Sequence, residues 1–536
     1  MGEVLPRIAA CIVCATLFSL FSVKMIGAMQ QSGYKGGVFL RWLTRRDNML
    51  LNRLCVLSLC LALVSAVAVL CFSFLGTQGA LLVSAIPFVG LLFAFLYSDK
   101  KYTLKVPVKK TGRFYRLFAV YFLFVSCFCY AFIALLAFLA AWNGSPLYRL
   151  IAYVPFAVAP VFLPLLLVAS NACERIFETV RNRKFVKRAG QVLDETEIIR
   201  VGVVGSYGKT SVKNILKTLL AQKYTVIETP ASFNTPIGIA KTVFSSDFAG
   251  KQVLIAEMGA RKAGDIAELC SLVKPNYALF TGIAEQHMAT FKTVENAFEE
   301  KSEIIKSGAY TVCGVDLKDR VQSAFTTLEN VEFIQADSVS EIDFYATETQ
   351  FTLRLGEGKK DSVRIKTKLL GRAAVENILL AATLAKKMGL TADEIAQGVA
   401  NVQPIAHRLQ YYQRGGVHIL DDGYNANPRG AKEALEALCR FVGRKCVVTP
   451  GIVECGALET QINEKLGAEL AAANPDTVIL VGETLVGAVK TGYLNGGGTQ
   501  ENLFVVPTLE RAQPLLLERV GAGDCVLFLN DLPDVY

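Results

Sequence analysis

Seven consecutive residues, Gly205-Ser206-Tyr207-Gly208-Lys209-Thr210-Ser211, place two glycines, a lysine and hydroxyl side chains directly behind the β-branched run Ile198-Ile199-Arg200-Val201-Gly202-Val203-Val204. That combination suits phosphate. Glycines let backbone N–H groups crowd around phosphate oxygens, a helix N-terminus adds partial positive charge, Lys209 adds a full one, and Thr210 offers a hydroxyl to Mg²⁺. Helix-compatible residues follow from Val212 to Leu220, so the stretch reads as strand, phosphate loop, helix. It is a shortened loop: strict Walker spacing would put glycine at 203, where the chain has Val203. Alone, Gly-x-x-Gly-Lys-Thr also occurs in ordinary strand-to-helix turns.

Two further groups fall just past strand-like runs. Val253-Leu254-Ile255-Ala256 leads into Glu257, and Tyr277-Ala278-Leu279-Phe280-Thr281 leads, a few residues on, to His287. The β-rich runs at 224–228, 253–256, 277–281 and 310–314 alternate with helical patterns. This implies a mainly parallel sheet with its ligand at the carboxyl ends of the strands. A carboxylate and an imidazole there, facing a phosphate loop, are suitable ligands for divalent cations. Each alone has a plainer reading, Glu257 as a solvated loop acid and His287 as a structural histidine. Strand-like runs near 417–420, 446–448, 478–481, 503–506 and 525–529 repeat the alternation as a Rossmann-like α/β unit.

Ahead of these elements the composition changes. The chain has 536 residues, 52% of them apolar, and its long charge-free runs fall almost entirely before residue 171. Five stretches, 4–23, 54–75, 79–97, 117–141 and 150–170, come close to the roughly 20 residues a helical span needs. Residues 1–190 hold 21 Lys+Arg against 5 Asp+Glu, and the remainder holds 35 against 42. The basic excess therefore belongs to span-flanking segments and argues against nucleic acid as a partner. Basic residues crowd 24–53, 100–116 and 175–188, so the positive-inside rule puts the N-terminus outside and everything after residue 171 in the cytoplasm. The first stretch lacks an Ala-x-Ala site and reads as a retained helix. Seven of the 14 cysteines lie in apolar runs and the later ones lack paired ligand spacing, so reduced thiols are expected. The expected architecture is an α-helical transmembrane domain of about five spans over 1–190, an α/β phosphate-loop domain over 191–405 and a Rossmann-like α/β domain over 406–536.

Gly205-Ser-Tyr-Gly208-Lys209-Thr210, Glu257-Met-Gly-Ala, His287, Glu300-Lys301-Ser302-Glu303-Ile304, Gly371-Arg372-x-x-Val375-x-Asn377, Asp421-Asp422-x-Tyr424-Asn425-Ala-Asn427-Pro428 and Phe528-Leu-Asn-Asp-Leu-Pro-Asp534 follow one another in this chain. In that order they resemble the motifs of the Mur ligases over about residues 195–536. The pattern is most similar to the D-alanyl-D-alanine-adding (MurF) type of peptidoglycan synthesis, and Asp-Asp-x-Tyr-Asn-Ala-Asn-Pro is its most specific element.

The resemblance implies an ATP-dependent amide ligase, in which a substrate carboxylate attacks the γ-phosphate, an acyl phosphate forms, and an amine displaces phosphate. Gly205, Ser206, Tyr207, Gly208, Lys209, Thr210 and Ser211 would bind the nucleotide together with Asn377, Arg408, Asp421 and Asp422. By matching motifs, Thr210 and Glu257 would hold one Mg²⁺ and His287 a second. Lys301 matches the lysine that is carbamylated in this family, a change that makes it an anion able to help position metal. Beyond a hinge at Gln403-Pro404, Arg408 would reach the γ-phosphate on domain closure, with His407 a mere neighbour. Lys209, Lys301, His287 and Arg408 are thus the expected catalytic set. Asn234 and Thr235 would stand near the incoming carboxylate, and Tyr424, Asn425 and Asn427 near the nucleotide and the amine.

Two departures stand out. The family usually has His-Asn where this chain has Ala373 and Ala374, and its D-alanyl-D-alanine-adding members carry a soluble UDP-substrate domain where this chain has a membrane domain. The expected substrates are therefore a cell-wall precursor met at the membrane, in lipid-linked or UDP-linked form, and an amino acid or dipeptide. The expected location is the bacterial cell membrane, with the bilayer as a partner and other cell-wall synthesis proteins as candidate partners. A ligase for another polymer such as poly-γ-glutamate, an amidating ligase, and a non-catalytic nucleotide-sensing scaffold are the alternatives.

Overall fold

A computed structural model describes residues 4–44, 53–64, 66–67, 108–142, 146–230, 233–284, 291, 293–356, 362–424, 427–453, 455 and 458–529. The chain divides into two compact units, Met1–Arg183 and Lys184–Tyr536.

The first unit is helical. Helices Val4–Phe21, Val23–Gln31, Gly36–Leu43, Arg53–Val64 and Gly112–Trp142 are followed by Pro146–Asp194, within which the unit boundary falls. Phe18, Met25, Met29, Phe39, Leu61, Leu117, Tyr121, Leu163 and Leu167 form its core. Among the described residues two segments, Gly112–Ala131 and Pro160–Asp194, are long and apolar enough to cross a membrane. A third arises if Cys11–Leu20 and Val23–Gln31, bent by 45°, are taken as one. The bend sits at Ser22, whose hydroxyl donates back to Phe18 O at 2.8 Å and pairs with the Tyr121 hydroxyl at 2.7 Å. Serine back-bonding of this kind bends helices. Of the five expected spans, 79–97 lies outside the described residues, as do residues 65 and 68–75 of the stretch 54–75, whose described part holds the helix Arg53–Val64.

Among its described residues the second unit contains two six-stranded sheets and a smaller one. In the first, β1 (Ile199–Val204), β2 (Val226–Glu228), β3 (Val253–Glu257), β4 (Tyr277–Phe280), β5 (Tyr310–Cys313) and β6 (Val331–Phe333) are all parallel, in the order β2-β3-β1-β4-β5-β6. The order reverses beside β1, which is where open α/β sheets place ligands. Side chains alternate across each strand: Val201, Val203, Val253 and Ile255 pack with Val212, Ile215 and Leu216 of helix Lys209–Leu220, whereas Val204, Leu254 and Ala256 pack on the opposite face.

Three antiparallel strands, β7 (Val339–Phe344), β8 (Thr349–Arg354) and β9 (Ser362–Thr367), were not anticipated by the parallel-sheet reading. Their signal is the buried alternation Thr349, Phe351, Leu353. The last sheet has the order β10-β11-β15-β12-β13-β14, with β10 (Gln410–Arg414), β11 (Val417–Asp422), β12 (Lys445–Thr449), β13 (Thr477–Val481), β14 (Leu503–Val506) and β15 (Cys525–Leu529). The strands expected near 417, 446, 478, 503 and 525 are all present; β10 is additional. It pairs antiparallel to β11 through Gly415-Gly416, both at positive φ, as a two-residue hairpin turn requires.

Candidate active site

The phosphate loop leaves β1 and enters helix Lys209–Leu220 through two positions only glycine can fill. A Cβ on Gly205, at φ +148°, would sit 1.9 Å from the Thr281 hydroxyl oxygen. One on Gly208, at φ +74°, would lie 2.8 Å from Asn377 Oδ1. The same neighbours hold the loop: Ser206 N donates to Gly282 O at 2.8 Å, and the Thr281 hydroxyl donates to Tyr207 O. Lys209 Nζ donates to Gly205 O at 2.7 Å. Burial lowers the pKa of this ammonium, Arg408 adds to the lowering, and Glu257 opposes it.

Glu257 ends β3 on the face that packs against helix Lys209–Leu220, and it is buried. Its Oε2 accepts the Thr210 hydroxyl at 2.9 Å and lies 3.5 Å from Lys213 Nζ, while Oε1 accepts Asn234 Nδ2 at 3.2 Å. Lys213 also donates to Thr229 O at 2.6 Å, and Thr229 Oγ1 accepts Glu257 N at 3.0 Å. Lys213 was not singled out from the sequence, although it stands three and four residues beyond Thr210 and Lys209, a spacing that shares one helix face.

Helix Val294–Lys306 brings Lys301 to the same place. Its neighbour Glu300 accepts Gly264 N at 2.7 Å and Ile266 N at 2.6 Å, capping the start of helix Asp265–Val273 and pinning the two helices together. Burial and the nearby Lys209 charge push the Lys301 amine down to about 8, against the pull of Glu300.

These groups face one cleft of about 460 Å³, lined by Gly205, Ser206, Tyr207, Gly208, Lys209, Thr210, Ser211, Asn234, Thr235, Glu257, Lys301, Arg408, Tyr424 and Asn427. The Arg408 guanidinium lies 4.5 Å from the Tyr424 ring centroid. The Thr235 and Asn427 side chains also serve as helix N-caps, accepting Gly238 N at 3.2 Å and Gly430 N at 3.0 Å. An adjoining chamber of about 140 Å³ shares Tyr207, Gly208, Ser211, Arg408 and Asn427. It adds Ile215, Leu369, Leu370, Ala373, Ala374, Asn377, Ile405, Leu409 and Asp422, with Arg429, Gly430 and Glu433 of helix Pro428–Leu438. Both sizes and linings suit phosphates in the first space and a flat aromatic ring in the second.

Asp421 and Asp422 divide their roles. Asp421 lines neither space: it pairs with His407 Nδ1 at 2.9 Å and accepts Gly423 N at 3.1 Å. His407, read from the sequence as a bystander, thus orders this loop. Asp422 accepts Leu409 N at 2.9 Å, and burial raises its carboxyl to about 6 against the opposing pull of that N–H and of Arg408. His287 and Asn425 lie outside the described residues. Among the described residues no cluster of three metal-binding acids, histidines or cysteines occurs and every cysteine is free.

Residues 203–385 match the Mur ligase middle domain, and residues 407–530 match the Mur ligase glutamate ligase domain. The chain is 30% identical over 300 residues to the UDP-N-acetylmuramoyl-tripeptide--D-alanyl-D-alanine ligase of Escherichia coli strain K12, covering 53% of this chain and 64% of that one. The Treponema pallidum ligase of the same name is 27% identical, covering 62% and 71%. Thus the match to the Escherichia coli protein spans less than two thirds of its length. Among solved structures, the MurF ligase of Thermotoga maritima in complex with ADP aligns with a TM-score of 0.58 at 28% identity, over 65% of this chain and 80% of that one. MurF of Acinetobacter baumannii aligns with the same TM-score at 21% identity, over 65% and 77%, which speaks for the fold.

Proposed function

The chain belongs to the Mur ligase family, and on that premise we propose that it is a membrane-anchored, ATP-dependent amide ligase. It joins an amino acid or D-alanyl-D-alanine to the carboxylate of a peptidoglycan precursor. The observation that carries this reading is the convergence of Lys209, Thr210, Glu257 and Lys301 on one cleft, with Arg408 entering it from the C-terminal domain.

In the proposed reaction a substrate carboxylate oxygen attacks the γ-phosphorus of ATP, ADP leaves, and the acyl phosphate is then attacked by the amine. The amine loses a proton and inorganic phosphate departs as the amide forms. Both steps gather negative charge between carboxylate and phosphoryl groups, so fixed cations and N–H donors provide most of the stabilisation. Lys209, next to the loop carbonyls, is placed to hold β- and γ-phosphate oxygens, and Arg408 to reach the transferring group. The Thr210 hydroxyl and Glu257 carboxylate, hard oxygen donors 2.9 Å apart and both facing the cleft, fit Mg²⁺. When bound there, the ion neutralises phosphate charge. The lowered Lys301 amine is suited to addition of CO₂; as a carbamate it would support a second ion together with His287.

The domains are proposed as 1–190 in and beside the membrane, 191–405 binding ATP and 406–536 closing over it. The two span-length apolar helices and the basic flanks support an inner-leaflet location with the ligase domains in the cytoplasm. Membrane anchoring adds little for a soluble UDP-linked substrate, whereas a lipid-linked one is presented at that surface. Full-length chain supplied with ATP, Mg²⁺ and D-alanyl-D-alanine is expected to extend lipid-linked muramyl tripeptide. Extension of the UDP-linked form alone overturns the lipid assignment. Absence of ATP-dependent amide formation across a panel of carboxylates and amines overturns the ligase assignment.

A further inference from the structure

Arg429 occupies the first turn of helix Pro428–Leu438 in the C-terminal domain, yet three of its polar partners lie in the middle domain. Nη1 donates to the Tyr207 hydroxyl at 3.1 Å and to Asp316 Oδ2 at 3.0 Å, and Nη2 donates to Glu376 Oε2 at 2.5 Å. Nε lies 3.6 Å from Glu433 Oε1, one turn along its own helix. The three partners stand on three separate segments: the phosphate loop, the turn Val315–Leu317 after β5, and helix Arg372–Lys387. Glu433 in turn accepts Ala373 N at 2.8 Å, at the start of the helix that carries Glu376. Two residues of one C-terminal helix therefore grip the middle domain side by side.

We propose that Arg429 is a positioning residue: a clasp that holds the C-terminal domain on the middle domain and couples that docking to the phosphate loop through Tyr207. The ring on which Arg408 stacks, Tyr424, belongs to its own domain, whereas Arg429 hydrogen-bonds three residues of the middle domain directly. A planar guanidinium can serve acceptors in several directions at once, and a lysine ammonium at this place cannot span them. Asp316, Glu376 and Arg429 are each partly exposed, so the clasp is screened by salt and opens without unfolding either domain. Its consequence for turnover rests on the ligase reading; the clasp itself does not.

The test uses the full-length chain in detergent, with fluorescent amino acids inserted at the exposed Glu329 and Glu501 to report the distance between the two domains. The parent chain is expected to give one narrow distance at low salt that broadens as salt is raised. Arg429→Ala and Glu376→Gln are expected to give the broad distribution already at low salt, and Arg429→Lys is not expected to restore the narrow one. With the ligase substrates, kcat/KM for ATP falls about tenfold in Arg429→Ala, the scale of losing two or so partly exposed ion pairs, and about threefold in Glu376→Gln, which loses one. The rate recovers at saturating ATP, since bound nucleotide re-closes the domains. The clasp is overturned if Arg429→Ala and Glu376→Gln both keep the parent's narrow distance at every salt concentration. A chain that follows the expected distances but ligates nothing keeps the clasp and defeats the ligase reading instead.

Discussion

Thr210 donates its hydroxyl hydrogen to Glu257 across 2.9 Å, joining the first turn of the phosphate-loop helix to the end of β3. Two segments separated by 47 positions thus meet as a pair of oxygen donors facing the cleft. Removing the carboxylate while keeping its shape, with Glu257→Gln, is expected to lower kcat/KM by about two orders of magnitude, the usual scale for one preorganised electrostatic group. The Mg²⁺ concentration needed for half-maximal rate is expected to rise. A Mg²⁺ titration of phosphate release checks both, and an unchanged titration would remove Glu257 from the metal site.

Lys209→Ala is expected to slow the chemical step by about two to three orders of magnitude while leaving thermal unfolding nearly unaltered. The ammonium is buried at a cost that its loop carbonyls only partly offset, so its loss relieves desolvation as well as removing bonds. Single-turnover kinetics beside a melting curve separate the two effects.

Acid pH acts on Asp422. Its folded-state carboxyl titrates at about 6, above the ordinary 3.8, so the native chain takes up this proton before the unfolded chain does. The contribution to stability is full below about 3.8 and is lost as pH rises through about 6. Protonation also removes the negative charge beside Arg408, so turnover is expected to fall below pH 6 even as this contribution to folding grows. Asp422→Asn is expected to flatten that acidic limb, which a pH–rate profile of parent and variant checks.

Glu300→Gln tests the buried cap. Both carboxylate oxygens receive backbone N–H groups, and an amide must turn its NH₂ towards one of them. A loss of roughly 1–3 kcal/mol is expected from the unsatisfied donor, measured by denaturant unfolding. Because Lys301 is the next residue, activity is expected to fall with it.

Part of this site could be read from residue types alone, because the phosphate loop and Glu257 lie at a helix start and a strand end where local pattern determines position, whereas Lys301, in the middle of helix Val294–Lys306, is legible only through the family motif. The expected strands from Val417 to Leu529 were equally visible, since each is a short buried run between helical patterns. The antiparallel strands were less legible: Thr349, Phe351 and Leu353 form a weak alternation among charged neighbours. Lys213 carries no signal beyond that of an ordinary charged helix residue and Glu300 none beyond its place in a motif, and only the packing of one element on another buries them against polar partners. Arg429 was invisible as a clasp for a related reason. Asp316, Glu376 and Tyr207 lie between 53 and 222 positions away in the chain, and no local pattern encodes that meeting.

Glu257 receives Thr210, Asn234 and Lys213 on one carboxylate. It works as the keystone of an arch whose stones come from the phosphate-loop helix, the segment before helix Pro236–Ser245, and β3 itself. Shortening it by a single methylene, as aspartate would, withdraws the oxygens from all three neighbours together. Shortening at this position therefore acts on all three contacts at once, whereas an amide of the same length keeps the stone's shape and removes only its charge.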